Sequence, residues 1–552
     1  MSDLERAVAA WSAQDPDPDT RAALERLLTA AAGGDRAAAD ELADAFAGRL
    51  QFGTAGLRGA LGPGPNRMNR VLVGQAAAGL ATYLIDQGLA GGRVIVGFDA
   101  RHKSDAFARD TAQIMAGAGF EALITPGPLP TPVVAFGIRH FGCVAGVVVT
   151  ASHNPPQDNG YKVYLGDGSQ IVPPADAEIA DRIEEITKHE LSDVPRSPDY
   201  RTLGNDLVEA YLDRIATLVP PAAPRELSWA YTPLHGVGAA VVEQAVARAG
   251  FAAAAVVDAQ AAPDPDFPTV SFPNPEEPGA IDLALALGRE LEADLVIAND
   301  PDADRCAVAA PIDGTWRMLR GDELGALLGD DALRRGVHGT YACSVVSSTL
   351  LGTMARAYDQ PFATTLTGFK WIGRVPGLAF GYEEAIGYCV DPAAVPDKDG
   401  ISTLVAVLRL AAELKAAGST LAERLDAIER TYGVHATGQW AVRVDDLSII
   451  TDAMARLRSG PPSHLAGEPV EVTDLALGSP DLPPTDGILL AGAAVRVVVR
   501  PSGTEPKLKC YLEARRSLAE SREDLTVSRV AAAQVLDRLR SAIATALGLI
   551  SD

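Results

Sequence analysis

The sequence predicts an α/β protein made of three similar domains with mixed or parallel sheets, followed by a smaller C-terminal α+β domain. Three times along the chain, continuous apolar runs alternate with helical patterns, which is typical of sheets covered on both faces by helices. From about residue 435 the pattern changes to runs of strands and helices, which favours an α+β arrangement. A chain of 552 residues also fits several domains of roughly 150 residues each. The predicted domains are residues 1–205, 206–312, 313–432 and 433–552.

In the first domain, residues 1–50 alternate Ala and Leu with charged residues at helical spacing, which predicts two amphipathic helices. The rest of this domain shows strands and helices in alternation. In chain order, the pattern predicts a buried strand in 91–101, a helix from Ser104 to about Ala118, a strand at 120–125, a helix near 132–140 and a strand at 143–152.

The same rhythm continues in the second and third domains. It predicts a strand, a Gly-rich turn and a helix at 229–250, a strand and loop at 294–305, a strand and helix at 339–359, segments at 361–373 and 378–388, and a helix at 402–418. In the last domain we expect strands in GQWAVRVDD and in AAVRVVVRPSG…KLKCYLEA, a helix near 448–458 and a long helix at 526–547, whereas 459–488 is expected to be a loop.

Composition narrows the class of protein. A formal net charge of −24 disfavours nucleic acid and anionic membrane surfaces as partners. The five cysteines are scattered and form no CxxC pair, which argues against a disulfide framework and a thiolate zinc site. No signal-peptide pattern and no apolar stretch of about 18 residues is found. We therefore expect a cytoplasmic protein that binds neither nucleic acid nor membranes, as a monomer or homodimer.

The strongest chemical signal is NDPDADRC at 299–306, directly after the apolar strand DLVIA. Asp300, Asp302 and Asp304 are spaced by two, which in an extended segment points three carboxylates to one side. Carboxylates this close repel one another unless a cation lies among them, and an all-oxygen set favours Mg²⁺ over zinc. Arg305 adds a fixed positive charge beside them. The alternative is an ordinary acidic turn in an acidic protein.

A second motif, TASHNPPQDNGYKVY at 150–164, also follows a strand. We expect Ser152 to be exposed on this loop beside His153, with Lys162 in a position to return towards it. No G-x-S-x-G elbow is present, so a hydrolase triad is not supported. A serine that already carries phosphate needs a metal and positive charge rather than an adjacent base. A plain Ser/Asn turn is the alternative.

A third loop, VRPSGTEPKLKCYLE at 499–513, has the groups that hold a phosphate. It offers one guanidinium, two hydroxyls and amides freed by glycine. These groups belong to Arg500, Ser502, Gly503 and Thr504, with Lys507 and Lys509 as further charge. A hairpin turn is the alternative.

Weaker candidates lie in four other loops. Arg58 lies in the Gly-flanked GTAGLRG, and Glu383 and Glu384 follow an apolar strand in GYEEAIGY, where carboxylates can accept hydrogen bonds from sugar hydroxyls. The remaining polar or basic loop candidates are Thr367, Gly368 and Lys370 in TLTGFKW and Lys398 in PDKDG.

Taken together and in this order, the loops resemble the α-D-phosphohexomutase superfamily, which includes phosphoglucomutases and phosphomannomutases. The resemblance runs from GTAGLRG to RPSGTEPK, and TASHNP and DPDADR at this separation are highly specific. It implies four domains around a central cleft, each contributing one loop. It also implies that Ser152 is the phosphoserine and that Asp300, Asp302 and Asp304 bind Mg²⁺, with Ser152 at the metal as well.

The resemblance further implies a role for each remaining loop. Glu383 would contact the sugar, and Arg500, Ser502, Gly503 and Thr504 would hold the non-reacting phosphate. Arg58, His153, Lys162, Arg305 and Lys398 fall on family positions near the active centre. One departure is Ala385, which stands where a serine is common in the family's sugar loop. Together TGFKWIG and EEAIG look more like the phosphopentomutase-like and bisphosphate-synthesising branch, so ribose 1-phosphate is an alternative substrate.

The hypothesis is therefore a mutase that interconverts a sugar 1-phosphate and a sugar 6-phosphate through phospho-Ser152, a bisphosphate intermediate and a sugar bisphosphate primer. Positioning and charge neutralisation are the main demands of such a transfer. Lys162 is the candidate for handling the hydroxyl proton. The alternatives are a phosphopentomutase, a sugar-1,6-bisphosphate synthase, a haloacid-dehalogenase phosphatase, which Asp304-Arg305 does not fit, and a non-catalytic sugar-phosphate sensor.

Overall fold

A computed structural model describes residues 3–312, 314–444, 446–480, 482–502, 507–518 and 524–549. The chain forms two compact units. The first comprises Met1–Ala309 and Asp391–Ala412, and the second comprises Ala310–Val390 and Glu413–Asp552. Residues 391–412, which we assigned to the third domain, thus group with the first unit. The three predicted boundaries between the four domains and the central cleft stay predictions.

The N-terminal region contains three helices, so the prediction of two was wrong. They are α1 (Asp3–Gln14), α2 (Pro18–Ala32) and α3 (Arg36–Ala45). The chain breaks after α2 at Gly34, whose φ of +91° favours glycine. Asp35 then caps α3 by accepting a hydrogen bond from the Ala38 amide. A continuous Ala/Leu periodicity hides this break because both helices present the same kind of apolar face.

The next part of the first unit is built on a six-stranded sheet. Its elements and those that follow it are β1 (Leu57–Ala60), α4 (Arg70–Asp86), β2 (Arg93–Phe98), α5 (Ser104–Gly117), β3 (Glu121–Ile124), α6 (Thr131–His140), β4 (Ala145–Val149), β5 (Asp158–Leu165), α7 (Ala175–Thr187), β6 (Arg201–Thr202) and α8 (Asp206–Ala216). The strand order is β1-β5-β4-β2-β3-β6.

This sheet is mixed rather than purely parallel. Strand β2 pairs in parallel with β3 and β4, whereas β5 runs antiparallel to β4 and β1 antiparallel to β5. Val96 on β2 and Val147 on β4 belong to a core that also contains Leu80 of α4. The sequence analysis missed α4, which is buried along most of its length and apolar on nearly every side. A helix of that kind shows no amphipathic periodicity.

A second sheet has the strand order β11-β10-β9-β7-β8. Strand β7 runs parallel to β8 and β9, and β10 runs antiparallel to β9. The elements are β7 (Trp229–Thr232), α9 (Ala239–Ala249), β8 (Ala255–Val256), α10 (Asp258–Ala261), α11 (Asp282–Glu290), β9 (Leu295–Asn299), β10 (Cys306–Ile312) and β11 (Thr315–Met318).

A third sheet, β13-β12-β14-β15, is parallel except for the β14–β15 pair. The elements of this stretch are α12 (Gly321–Arg334), β12 (Thr340–Ser344), α13 (Leu350–Ala357), β13 (Phe362–Thr365), α14 (Phe369–Ile372), β14 (Leu378–Glu383), β15 (Gly387–Cys389), α15 (Gly400–Ala416) and α16 (Leu421–Tyr432).

The C-terminal sheet, β16-β22-β21-β20-β19, is antiparallel throughout. The prediction that 459–488 is a loop was wrong for β19, which pairs with β20 at the sheet edge, and for the short strands β17 and β18, which pair with each other. The elements are β16 (Val434–Arg443), α17 (Leu447–Ser459), β17 (His464–Leu465), β18 (Glu468–Pro469), β19 (Glu471–Asp474), β20 (Ile488–Ala491), β21 (Val495–Pro501), β22 (Lys507–Arg516) and α18 (Leu525–Leu547).

The predicted fold class is confirmed, with three α/β parts built on mixed sheets and a C-terminal part built on an antiparallel one. In the part of the chain that the structure describes, we find no helix with the length and apolarity that crossing a bilayer requires.

Candidate functional site

In the first unit, two loops that follow parallel strands meet. Strand β4 ends at Val149 and β9 ends at Asn299, so Ser152 and Asp300 both lie just past the carboxyl end of a strand, where α/β sheets bind ligands. The Ser152 hydroxyl donates a hydrogen bond to Oδ2 of Asp300 at 2.7 Å, and its Oγ lies 3.1 Å from Nδ1 of His153. The two motifs singled out in the sequence therefore contact each other directly.

We had predicted that Ser152 is exposed, and this was wrong, because only 3% of the residue is exposed. Its backbone has a φ of +54°, a strained value for a residue with a side chain. The loop lies against the acidic motif on one side and against Arg101 on the other, where Nη2 donates to the Ser152 carbonyl at 2.6 Å. Burial here comes from neighbours that are distant in sequence, which the local Ser/Asn pattern does not reveal.

The three acids Asp300, Asp302 and Asp304 converge, with one oxygen of each within 4.8 Å of the others. All three are buried. We had predicted an extended segment here, and this was wrong, because β9 has already ended and Ala303 has a φ of +55°. The carboxylates thus converge around a tight turn rather than along one side of a strand.

Three cations surround these acids. Lys162, on the antiparallel strand β5 that returns from the Ser152 loop, donates to Oδ2 of Asp302 at 2.7 Å and to Oδ2 of Asp304 at 2.9 Å. Nζ of Lys398 lies 3.2 Å from Oδ2 of Asp304. The third cation is Arg305, with Nε 3.8 Å from Oδ2 of Asp300 and from Oδ1 of Asp304. Lys162 and Arg305 are therefore each shared between two carboxylates of the cluster, whereas Lys398 contacts one of them.

Charge and burial shift the titration of these groups. Burial, and then repulsion from Asp302 and Asp304, raises the pKa of Asp300 well above its usual value. Burial also opposes ionisation of Asp304, but Lys162, Lys398 and Arg305 outweigh it and lower its pKa. The carboxylates are thus unequal, and the cation nearest to Asp300 is Arg305 at 3.8 Å, whereas Lys162 and Lys398 lie within 3.2 Å of Asp304.

The surroundings of His153 favour its neutral form. Burial lowers the pKa of its imidazole well below the usual value, and the nearby guanidinium groups of Arg305 and Arg58 lower it further. The ring can therefore donate or accept a hydrogen bond near Ser152, but it adds no positive charge there.

The acid cluster has the properties of a divalent-cation site. Oδ1 of Asp302 and Oδ1 of Asp304 are buried and have no hydrogen-bond partner among the described residues. Unsatisfied buried carboxylate oxygens are costly, and a cation placed among them removes that cost. The donor set is oxygen only, which suits a hard cation. The residues present could therefore hold a metal ion.

Two further side chains from other elements contact the Ser152 loop or the acid cluster. Arg58, on β1, donates to Oδ1 of Asn154 at 3.3 Å, two residues after Ser152. The Thr131 hydroxyl, at the start of α6, donates to Oδ2 of Asp302 at 2.6 Å. The sequence singled out Arg58 but not Thr131, because a threonine that opens a helix has an ordinary capping role.

In the second unit, the predicted sugar loop follows β14. Glu383 is mostly buried, and its Oε1 accepts a hydrogen bond from the Gly368 amide at 2.6 Å. Gly368 has a φ of +112°, which a residue with a side chain rarely adopts. The turn after β13, where Thr367 also lies, therefore reaches Glu383 through its backbone.

Glu384 is held from a different loop. Its Oε2 accepts hydrogen bonds from the hydroxyls of Ser344 at 3.1 Å and Ser347 at 3.2 Å. Its amide donates to Oγ of Ser347 at 3.2 Å. The sequence analysis missed both serines, since nothing local in SVVSS distinguishes them from a strand end.

The predicted phosphate loop lies between β21 and β22. Arg500 is in β21, and the Ser502 amide donates to the carbonyl of Lys507 at 2.8 Å, which closes the hairpin. Gly503 and Thr504 lie outside the described residues. Burial raises the pKa of Tyr511, with Glu384 and Glu383 adding to the effect and Arg500 opposing it. Tyr511, missed by the sequence analysis, thus lies within electrostatic range of both the sugar-loop acids and Arg500.

Comparison with known proteins assigns the whole architecture. Family models named "Phosphoglucomutase/phosphomannomutase, alpha/beta/alpha" domains I, II and III match residues 49–190, 209–312 and 320–432. The C-terminal domain model of the same family matches residues 484–525. Together these matches cover well over half of the chain.

Individual relatives agree with these models. The "Probable phosphomannomutase" of Haemophilus influenzae is 48% identical over 81% of this chain and 93% of that protein. The "Phosphopentomutase" of Mus musculus is 36% identical over 92% of this chain and 90% of that protein. A phosphoglucomutase/phosphomannomutase family structure from Burkholderia thailandensis shares the fold, with a TM-score of 0.70 at 20% identity over 90% of this chain and 98% of that one.

The paired strand-end motifs, the acid cluster and the four matching models lead to one assignment. The chain belongs to the phosphoglucomutase/phosphomannomutase family, within the α-D-phosphohexomutase superfamily of metal-dependent phosphosugar mutases, and it is an isomerase.

Proposed function

We propose that this isomerase carries the transferred phosphoryl group on Ser152 and that Asp300, Asp302 and Asp304 hold Mg²⁺ beside it. The observation that supports this most directly is the 2.7 Å contact between the Ser152 hydroxyl and Asp300 within the acid cluster. A phosphate on this hydroxyl would face buried carboxylates and be repelled, unless a divalent cation lies among them. The two unpartnered oxygens of Asp302 and Asp304 are suited to that cation.

The protein groups around Ser152 have complementary roles in this proposal. Mg²⁺, when bound, supplies charge neutralisation for the phosphoryl oxygens. Arg58 and Arg305 add fixed positive charge, which phosphoryl transfer mainly requires. His153, neutral because of its burial, offers a hydrogen bond near Ser152 Oγ without altering the charge. These catalytic roles agree with the contacts described above.

Lys162 is proposed to handle the proton of the attacking hydroxyl. Burial opposes the charge on its ammonium, but Asp302 and Asp304 outweigh that effect and raise its pKa. Its Nζ therefore holds a proton when no metal ion lies among the carboxylates. A cation that shares those carboxylates lowers the pKa of Lys162, which is the direction that a general base needs.

Substrate recognition is proposed for polar groups of the remaining loops. Glu383 and Glu384 accept hydrogen bonds from sugar hydroxyls, and backbone contacts with Gly368 fix the first of them. The further proposed binding residues are Thr367, Lys398, Arg500, Ser502, Gly503 and Thr504. We propose sugar phosphates as substrates and a sugar bisphosphate as activator, in a cytoplasmic enzyme that is a monomer or homodimer. All five cysteines lie among the described residues, are buried and form no disulfide, which fits a reducing compartment.

The preferred substrate in this proposal is a hexose phosphate, converted between its 1-phosphate and 6-phosphate. Ribose 1-phosphate is the second candidate, and a specific residue favours it. Ala385 occupies the position of a serine that is common in the sugar loop, so one hydroxyl donor for a hexose is missing. Relatives named phosphopentomutase also align with over 90% of the chain.

The test combines mass and turnover. Intact mass spectrometry with peptide mapping is expected to find one phosphoryl group in the 150–164 peptide of the wild-type protein and none in Ser152→Ala. With Mg²⁺ and a trace of sugar bisphosphate, wild type should turn over glucose, mannose or ribose 1-phosphate, and S152A should not. An S152A variant with wild-type turnover would refute the phosphoserine. Ligand binding without turnover by the wild type would instead indicate a sensor.

A further inference from the structure

Arg101 is a buried arginine for which the proposed chemistry has no role yet. It follows β2 in the segment FDAR, and only 4% of it is exposed. Buried arginines are rare because the guanidinium loses its hydration, so its five N–H donors need strong acceptors. Nearly all of the acceptors of Arg101 lie in one short turn.

That turn is the Ser152 loop. Nη2 donates to the carbonyls of Ser152 at 2.6 Å and Asn154 at 2.5 Å. Nη1 donates to the carbonyls of Pro155 at 2.8 Å and Asp158 at 3.1 Å. Four backbone oxygens within seven residues thus converge on the two ends of one guanidinium. Charge-assisted bonds of this kind are stronger than neutral ones.

The guanidinium is itself held from the other side. Nε lies 3.4 Å from Oδ2 of Asp99, whose Oδ1 accepts hydrogen bonds from the Arg101 amide at 3.0 Å and the Ser104 hydroxyl at 2.7 Å. The Phe267 ring lies 4.9 Å from the guanidinium carbon, within cation–π range. Arg101 is therefore fixed by β2, α5 and the loop after α10, all in the first unit.

This arrangement explains how Ser152 keeps an unfavourable backbone. A residue with a side chain at φ +54° costs about 1–3 kcal/mol and persists only where its surroundings enforce it. The turn that contains Ser152 is followed by two prolines, Pro155 and Pro156, which have no amide hydrogen to stabilise it. The hydrogen bonds from Arg101 to four carbonyls of the turn provide stabilisation that the proline nitrogens cannot give.

We propose that Arg101 is a positioning residue for phosphoryl transfer. By clamping the carbonyls of the Ser152 turn, it holds Ser152 Oγ at its 2.7 Å contact with Asp300, in register with the acid cluster. Its described contacts are to backbone oxygens, Asp99 and Phe267, so it acts through the turn. The inference rests on the proposed function of Ser152.

Loss of this clamp affects kcat rather than KM. The contacts that the structure describes for Arg101 include none of the groups proposed to bind the sugar. A misplacement of the reacting oxygen by about 1 Å, in contrast, costs on the order of 100-fold in rate. Arg101→Lys keeps the charge and packing. Its single Nζ, however, cannot reach the four carbonyls that Nη1 and Nη2 of the arginine contact. We expect a 10- to 100-fold lower kcat for R101K, a KM within about twofold of wild type, and phospho-Ser152 that loses its phosphoryl group to water faster.

A matched control separates positioning from stability. Arg70 is a half-buried arginine of the same unit that donates to both oxygens of Asp110, away from the Ser152 turn. Arg70→Lys should lower thermal stability as much as R101K does and leave kcat unchanged. In a second variant, Arg101→Ala, millimolar guanidinium, far below denaturing concentrations, should restore part of kcat and should have no effect on Arg70→Ala.

The outcomes are distinguishable. Wild-type kcat in a folded R101K, or a fall of kcat in Arg70→Lys of the same size, overturns the positioning role. An R101A variant that folds and is not rescued by guanidinium also counts against it. If wild type itself never carries phosphate on Ser152, the proposed function fails first and this inference falls with it.

Discussion

Replacing Lys162 with methionine is expected to destabilise the first unit before any substrate is considered. The change removes the positive charge but keeps most of the apolar volume of the side chain. It leaves the buried carboxylates of Asp302 and Asp304 without the ammonium that lies 2.7 and 2.9 Å from them. Substrate turnover should also be lost, but the stability effect tests the electrostatics of the cluster by itself.

The size of the effect follows from burial and from the partners that remain. Removing one partner of a buried ion pair costs about 3–5 kcal/mol, because the other charge stays buried and uncompensated. Lys398 still lies 3.2 Å from Asp304, and the Thr131 hydroxyl still donates to Asp302. We therefore expect the lower end, about 3 kcal/mol. With an m-value of about 3 kcal/mol/M, the urea midpoint falls by about 1 M.

The buried cysteines provide a readout for each unit. Cys306 lies in β10 within the first unit, and Cys510 lies in β22 within the second. Urea titrations in EDTA, followed by thiol labelling and peptide mapping, give a separate midpoint for each cysteine. K162M should shift the Cys306 midpoint and leave the Cys510 midpoint in place. Adding Mg²⁺ should raise the Cys306 midpoint of K162M more than that of wild type, because a bound cation replaces the lost charge.

The pH dependence has a defined sign. The pKa of Lys162 is raised above 10.5, so its contribution is complete below pH 10.5 and is lost as pH rises through the folded-state value. The pKa of Asp304 is lowered below 3.8, so its contribution is complete above pH 3.8 and is lost as pH falls further. The contributions of Lys162 and Asp304 in the wild type are therefore both complete between about pH 5 and pH 9, so the two proteins should be compared in that range.

The control is an ion pair of similar length at the surface. Arg93 Nε lies 2.8 Å from Glu121 in the same unit, but both side chains are about half exposed. Arg93→Met should leave the Cys306 midpoint unchanged, because exposed pairs contribute little. A K162M midpoint in EDTA equal to that of R93M would show that Lys162 does not compensate the acid cluster.

Two other changes test the second unit. Gly368→Ala forces a side chain onto a φ of +112° and disturbs the amide that holds Glu383. The KM for the sugar phosphate should therefore rise about tenfold, while intact mass still shows the phosphate on Ser152. An unchanged KM contradicts a role of this turn in sugar binding. Glu513→Gln should lower the stability of the second unit by about 3 kcal/mol. Burial raises the pKa of Glu513, but the hydrogen bond with His435, the charge of Arg496 and the hydrogen bond from the Thr349 amide outweigh burial and lower that pKa from 4.5 to about 2. Because its pKa is lowered, the Glu513 carboxylate contributes its full stabilisation above pH 4.5 and loses it as pH falls towards 2. The difference in the Cys510 midpoint between wild type and E513Q should therefore shrink over that range. A difference that does not depend on pH contradicts stabilisation by the ionised Glu513.

The acid cluster could be predicted from sequence because all of its ligands lie within five residues. Any compact path through DPDADR brings Asp300, Asp302 and Asp304 close together. The predicted cluster of acids is therefore confirmed, although the predicted backbone conformation of this segment was wrong. The argument assumed an extended segment, whereas the chain turns through Ala303 at a φ of +55°. Local spacing therefore identifies the chemistry more reliably than the backbone that presents it.

Contacts between distant segments could not be predicted in this way. Arg101 and Thr131 look like any loop arginine and any helix-starting threonine until β2 and α6 are placed beside the Ser152 turn and Asp302. The buried state of Ser152 has the same origin, because its neighbours come from segments about 50 and 150 residues away. Helix α4 was missed for the opposite reason, since uniform burial erases the periodicity by which helices are recognised.

The charges of the cluster also explain how a chain of net charge −24 can carry a phosphate. When ionised, the three acids and Asp397, which lies 3.7 Å from Lys398, are balanced by four nearby cations, Lys162, Lys398, Arg305 and Arg58, so the cluster itself is close to neutral. A divalent cation alone would leave it with an excess of two positive charges. A phosphoryl group on Ser152 adds roughly −1.5 to −2 at pH 7 and removes that excess. In the proposed enzyme, metal and phosphate thus favour each other's binding, and EDTA should speed the loss of phosphate from Ser152 as well as stop turnover.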